Sequence, residues 1–231
     1  DTYFEFRGCF MENFITLDIL IRWSHVLFGI TWIGLLYYFN FIQGEYFKEA
    51  EASAKADATK KLAPRALWWF RWGAMFTFIT GVLLLVSIRQ TYGFNGYIIM
   101  GALMGTLMFL NVWLIIWPNQ KIVTGLVEGD ASVAGPKALL ASRTNTLFSA
   151  PMALGMIASS HGNVGAAGKS VYQAVIGFEG IGTGLAIVIA IIILLEINAI
   201  VGKMGPMASV KGVIHCSIAL TAVCLALLQF V

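Results

Sequence analysis

His25 and His215 stand inside long apolar runs, where an imidazole either bonds a neighbouring helix or ligates a metal. Around the first of them the chain reads ITLDILIRWSHVLFGITWIGLLYYFNFI. Arg22, His25, Gly29 and Trp32 follow one another at steps of 3, 4 and 3, which sets them on one helical face. At 1.5 Å per residue His25 lies roughly 16 Å inside its run and His215 roughly 20–24 Å inside its own, a common level once ordinary tilt is allowed. Two histidines on separate helices at one depth suit axial ligation of a haem b iron. In that arrangement Gly29 gives a flat macrocycle room and Arg22 pairs a propionate. On spacing alone this competes evenly with two histidines that merely hydrogen-bond neighbouring helices.

A second polar group falls toward the other end of the runs. Arg71, Arg143 and Glu196 are at comparable depth, and a salt bridge between Glu196 and one arginine is the simplest way to keep them there. The alternative is a polar pocket. Asn119 and Gln120 in IWPNQK, with Arg143, Thr144, Asn145 and Thr146 in SRTNT, offer amide donors and acceptors beside a planar cationic fork. Such a set suits a small planar polar molecule; the competing role for the SRTNT run is capping and interhelix bonding. Pro118 is expected to stop its helix. Glu179, Asn111 and His161 stay open between ligand and structural roles. Cys9, Cys216 and Cys224 lack CxxC or CxxCH spacing, against a covalent c-type haem or zinc site within the chain.

The elements that must position these residues are transmembrane helices. Of the 231 residues, 58% are hydrophobic and 12% charged. Apolar runs at about 14–42, 66–88, 96–117, 138–160, 171–201 and 207–230 each reach the length a bilayer needs. The expectation is an all-α membrane protein, one domain over 1–231, with a bundle of about six transmembrane helices. Glycines 177, 180, 182 and 184 allow close packing in the fifth run. The 45–63 segment is Ala-rich with Glu and Lys at helical spacing and reads as a short cytoplasmic helix ended by Pro64.

Lys48, Lys55, Lys60, Lys61, Arg65, Lys121, Lys137, Lys203 and Lys211 gather on one side of the six runs. The positive-inside rule makes that side cytoplasmic and places both termini in the periplasm of a bacterial inner membrane. The net charge of +3 makes no case for nucleic acid.

RWSHVLFGITWIGLLYYFNFIQ, FRWGAMFTFITG, IWPNQK, SRTNTLFSAPM and ASSH together resemble the membrane domain of the cytochrome c-linked urate oxidases, the integral-membrane urate hydroxylases. The motifs run from residue 22 to residue 161. The resemblance implies oxidation of urate toward 5-hydroxyisourate, with electrons passing to a cytochrome c; a haem b on His25 and His215, read from their depth, would relay them. Arg143, Asn145 and Asn119 would then hold the planar substrate. In the family a module with a CxxCH haem site follows the membrane domain; the present sequence runs to Val231 without one, so the expectation is a separate cytochrome as acceptor, a truncated chain, or a relative with another task. A different expectation is an accessory, haem-bearing subunit packed among other subunits of a larger respiratory or photosynthetic complex. A third is a transporter of a small polar solute.

Overall fold

The computed structural model describes residues 2–91, 94–161 and 182–231, with side chains over 16–89, 94–159 and 182–231. All regular structure among the described residues is helical, as expected of a chain whose backbone must bond within itself inside a bilayer. Helix α1 (Thr2–Tyr37) passes through a π-turn (Tyr38–Gln43) into α2 (Gly44–Glu49). The chain breaks at Ala50, which is extended with ψ 143°, and restarts as α3 (Ala52–Asp57). A second π-turn (Ala58–Leu62) leads into α4 (Ala63–Thr91). Helix α5 (Gly96–Leu110), a third π-turn (Asn111–Ile116) and α6 (Trp117–Val123) form one further rod. Helices α7 (Ala131–His161), α8 (Thr183–Val201) and α9 (Val210–Phe230) complete the bundle.

The expected spans at 14–42, 66–88, 96–117, 138–160 and 207–230 each fall on a long helix, and 183–201 on the described part of the fifth. Among the described residues five helices are long and apolar enough to cross a membrane: Thr16–Glu49, Ala52–Arg89, Gly96–Val123, Thr183–Val201 and Val210–Phe230. The protein is therefore an all-α bundle of multi-pass character.

Both prolines expected to end helices lie inside them instead. Pro64 follows Ala63, whose N–H reaches back five residues to Ala58, and Pro118 follows Trp117, whose N–H reaches back to Val112. A proline is disruptive because it cannot supply the next i→i−4 bond. A π-turn has already shifted the ladder at that point, so the missing donor falls where the register changes. The short 45–63 helix is accordingly split at Ala50, and its second half continues into α4.

The sixth long helix, α7, is the least apolar and lies at the centre. It packs against α1, α5, α6, α8 and α9. Five of its polar residues, Arg143, Thr144, Asn145, Thr146 and Ser149, are buried, whereas Leu17, Leu20, Trp23, Val26 and Ile30 on α1 are exposed. The bundle thus puts polar groups inside and apolar ones toward lipid. Asp130 caps α7 by accepting from the Ser132 N–H (2.8 Å) and hydroxyl (2.6 Å). Those bonds hold its carboxyl below the usual carboxylate range. Against α5, Gly155 is required: a Cβ there would come within 2.7 Å of the Tyr97 carbonyl oxygen. Gly184 likewise abuts the backbone of Leu227, so the close packing expected at that glycine is realised between α8 and α9.

Pro151 lies in the middle of α7 and leaves the Leu147 carbonyl without its helical donor. The Ser217 hydroxyl of α9 supplies one instead, donating to Leu147 O at 2.9 Å. Ser217→Ala should therefore destabilise the detergent-solubilised protein by about 1 kcal/mol. In a Pro151→Ala background, where the helix bonds Leu147 itself, the same change should cost markedly less. Thermal denaturation of the four variants checks this, and equal costs in both backgrounds would refute the pairing.

Candidate functional site

The face Arg22–His25–Gly29–Trp32 exists as read from the sequence, and its partner is α4. Arg22 Nε donates to Asp18 Oδ2 at 2.5 Å, and the Ser87 hydroxyl of α4 donates to Asp18 Oδ1 at 2.7 Å. His25 Nδ1 lies 3.0 Å from Thr77 O and 3.0 Å from Thr80 Oγ1. The Thr80 hydroxyl itself donates to Phe76 O, so Nδ1 carries the proton and donates to both. Gly29 lies against Thr77, and Trp32 against Gly73. The face is a helix–helix seam.

His215 sits on the exposed side of α9, which packs against α7 and α8. The structure does not bring His215 to His25, and Arg22 is committed to Asp18. The described residues hold no cluster of three or more His, Cys, Asp or Glu side chains. A haem b on His25 and His215 is an expectation from the sequence, and no step is routed through it. The His161 side chain and Glu179 lie outside the described residues.

Among the described residues Glu196 pairs with no arginine. Its Oε2 accepts from Asn111 Nδ2 at 3.1 Å, and the same amide nitrogen donates to Asn145 Oδ1 at 3.0 Å. Asn145 Nδ2 in turn donates to Met108 O at 3.0 Å. Arg71 stacks its guanidinium over the Trp117 ring, 3.8 Å from the centroid. The expected salt bridge is replaced by an amide relay and a cation–π contact. The relay starts at Asn111, the first residue of the third π-turn.

The rest of the SRTNT run divides by direction. Thr144 and Thr146 bond back to Leu140 O and Ser142 O on their own helix. Ser142 accepts from Asn40 Nδ2 at 2.7 Å, and Tyr37 and Ser149 share a hydrogen bond of 2.8 Å, so α1 runs antiparallel along this side of α7. Arg143 and Asn145 are two residues apart, about 200° around a helix, and so point to opposite sides of α7. Asn119 donates to Ile115 O on its own rod. Asn145 therefore belongs to the α5–α8 side and Arg143 to the α1–α2 side, whereas Asn119 bonds within its own rod.

Arg143 is the residue without an account of its own. It is 4% exposed, and neither Nε nor Nη1 has a partner among the described residues. Glu45 of α2 is the acid whose field reaches it, without an ion-pair contact. Side chains on a helix lean toward its N-terminus, which aims Arg143 toward the level of Gln43 and Glu45 on the antiparallel rod. Two acceptors on that rod are also buried and unpartnered, Asn40 Oδ1 and Gln43 Oε1. Sequence reasoning missed both amides. They continue the His25 face through Trp32 and Leu36 at steps of 4, 3, 4, 4 and 3, and that spacing was the available signal.

Residues 89–190 match the family model described as Urate oxidase N-terminal. The resemblance drawn from IWPNQK, SRTNTLFSAPM and ASSH is borne out over this stretch, which contains Arg143. The two motifs nearer the N-terminus lie outside it. No curated protein and no solved structure matches the chain.

A buried guanidinium without partners weakens a fold, whereas the amide relay supports it. Arg143→Met should thus leave thermal stability unchanged or raise it. Asn145→Leu, which strips partners from Met108 O and Asn111, should lower it by about 1–3 kcal/mol. Melting of the two variants in one detergent checks the contrast, and a large loss for Arg143→Met would show that the arginine is structural.

Proposed function

We propose that the chain is the urate-binding membrane part of a urate-oxidising system that delivers electrons to a cytochrome c. The observation that carries the reading is Arg143, a buried cation with two unused donors inside a stretch that matches the urate oxidase family model. Urate is flat and anionic near neutral pH, and a guanidinium offers it a planar, charged, two-pronged edge. Away from bulk water such a pair is stronger than on a surface, which suits recognition of a small anion.

The overall conversion adds the oxygen of one water to carbon 5 of urate, giving 5-hydroxyisourate, two electrons and two protons. Two ferric cytochrome c molecules accept the electrons one at a time, and the protons pass to solvent. In this reading Arg143 binds and orients the anion, and burial of the site between α1 and α7 limits water to what the hydroxylation consumes. In this reading the Arg143 end of the bundle faces the cytoplasm of a bacterial inner membrane, with both termini and the cytochrome on the other side, and the lysines at 48, 55, 60 and 61 support that orientation.

The test is urate-dependent reduction of added ferricytochrome c by the protein in proteoliposomes. Arg143→Met should lower turnover about a hundredfold or more, the loss of two charge-assisted hydrogen bonds. Arg143→Lys should retain part of it, since the charge stays and the fork is lost. Unchanged turnover in Arg143→Met would remove Arg143 from the site.

A further inference from the structure

We propose that Asn40 and Gln43, the two amides of the first π-turn, are the acceptors that read the ring N–H groups of the substrate bound at Arg143. The inference rests on the urate reading above and adds the residues that determine specificity. Buried polar atoms in folded proteins nearly always have partners, so orphans on two segments joined by the Asn40–Ser142 bond call for an explanation. Here the orphans are complementary. Arg143 Nε and Nη1 lack acceptors, and Asn40 Oδ1 and Gln43 Oε1 lack donors. If these groups were close enough to satisfy one another they would have done so. A molecule that accepts on one edge and donates on the next would satisfy all of them together.

The orientation of Asn40 is settled by its neighbours. Its Nδ2 donates to Leu36 O at 2.9 Å, and a carbonyl can only accept, so the amide nitrogen must face the helix and the oxygen must be the free end. Its second bond, to Ser142 Oγ, fastens it to the residue that precedes Arg143. Asn40 is 2% exposed, so its oxygen has no access to water as an alternative partner. Gln43 lies three residues on, at the end of the π-turn and two residues before Glu45, whose field reaches Arg143. The Gln43 side chain makes no hydrogen bond among the described residues. Such turns persist in helices mainly where they serve a site, and this one carries both acceptors. The matching ligand class is a planar anion with ring N–H groups between carbonyl oxygens, which is the edge pattern of an oxidised purine.

The experiment compares wild type and Gln43→Leu in proteoliposomes, with urate and the four singly N-methylated urates, each lacking one N–H. Equilibrium binding of radiolabelled urate to the purified protein is measured beside cytochrome c reduction. Wild type should reject at least one N-methylurate by tenfold or more in kcat/KM. Gln43→Leu should raise the KM for urate about tenfold, leave kcat within about threefold, and abolish discrimination at one ring position. A residue that only supported the fold would not alter a preference between methyl isomers. Asn40→Leu should affect a different ring position; because it also strips bonds from Leu36 and Ser142, Gln43 carries the decision. Unaltered KM and unaltered N-methyl preference in Gln43→Leu would overturn the inference while leaving the urate reading intact. Urate binding that Gln43→Leu weakens, in a wild type that reduces no cytochrome c, would sustain the inference and sink the oxidase reading. Absence of urate binding to wild type would end both.

Discussion

Inside a bilayer a hydrogen-bonding group has no water to turn to, so every polar side chain on a central helix must be answered by a neighbour. That requirement organises this bundle around residues 142–149 of α7. Asn40 and Tyr37 of α1 answer Ser142 and Ser149. Asn111 and the Met108 carbonyl of the α5 rod answer Asn145. Ser217 of α9 answers the carbonyl that Pro151 leaves open. Through Asn111 the same set reaches Glu196 of α8. Four neighbouring rods are thereby located by bonds to one polar stretch, and the apolar packing closes around them.

Arg143 is the exception within that stretch, and its isolation gives it meaning. The groups around it do not lack polar atoms; Asn40 and Gln43 hold acceptors that are equally unanswered. A fold selected for stability alone would have placed a hydrophobic residue at position 143. Retaining a buried cation between unsatisfied amides is the arrangement expected of a site prepared for a small anionic ligand. The π-turns belong to the same logic. Two of them begin at or contain a buried asparagine bonded to α7, and two of the three absorb the register change that a following proline demands.

Hydropathy made the apolar helices legible, and helical spacing made the Arg22–Trp32 face legible as a face. What covers that face was not legible, because a seam against α4 and a cofactor slot need the same small and polar residues. Asp18 was the overlooked cue: a carboxylate four residues before Arg22 is a helical ion-pair partner, and with it in place Arg22 had no charge to spare. The central position of α7 was hidden for a related reason. Its low hydropathy reads as a weak span, yet a helix that meets protein on most sides has least need of apolar residues. Arg143 and Asn145, expected in one pocket, separate on helical phase, since side chains two positions apart on a helix point to opposite sides. Asn40 and Gln43 were concealed within an aromatic run, YYFNFIQ, that looks like membrane filler until the step-of-three-and-four pattern is extended.

On the proposed reading Arg143 is kept for a ligand and not for the fold. Ligand-induced thermal stabilisation tests it most directly, because a molecule that binds only the folded state raises its melting temperature by mass action. Urate titrated against the purified protein should raise the melting temperature of wild type progressively and leave that of Arg143→Met unmoved. Equal shifts in the two proteins, or no shift in wild type at saturating urate, would contradict the account.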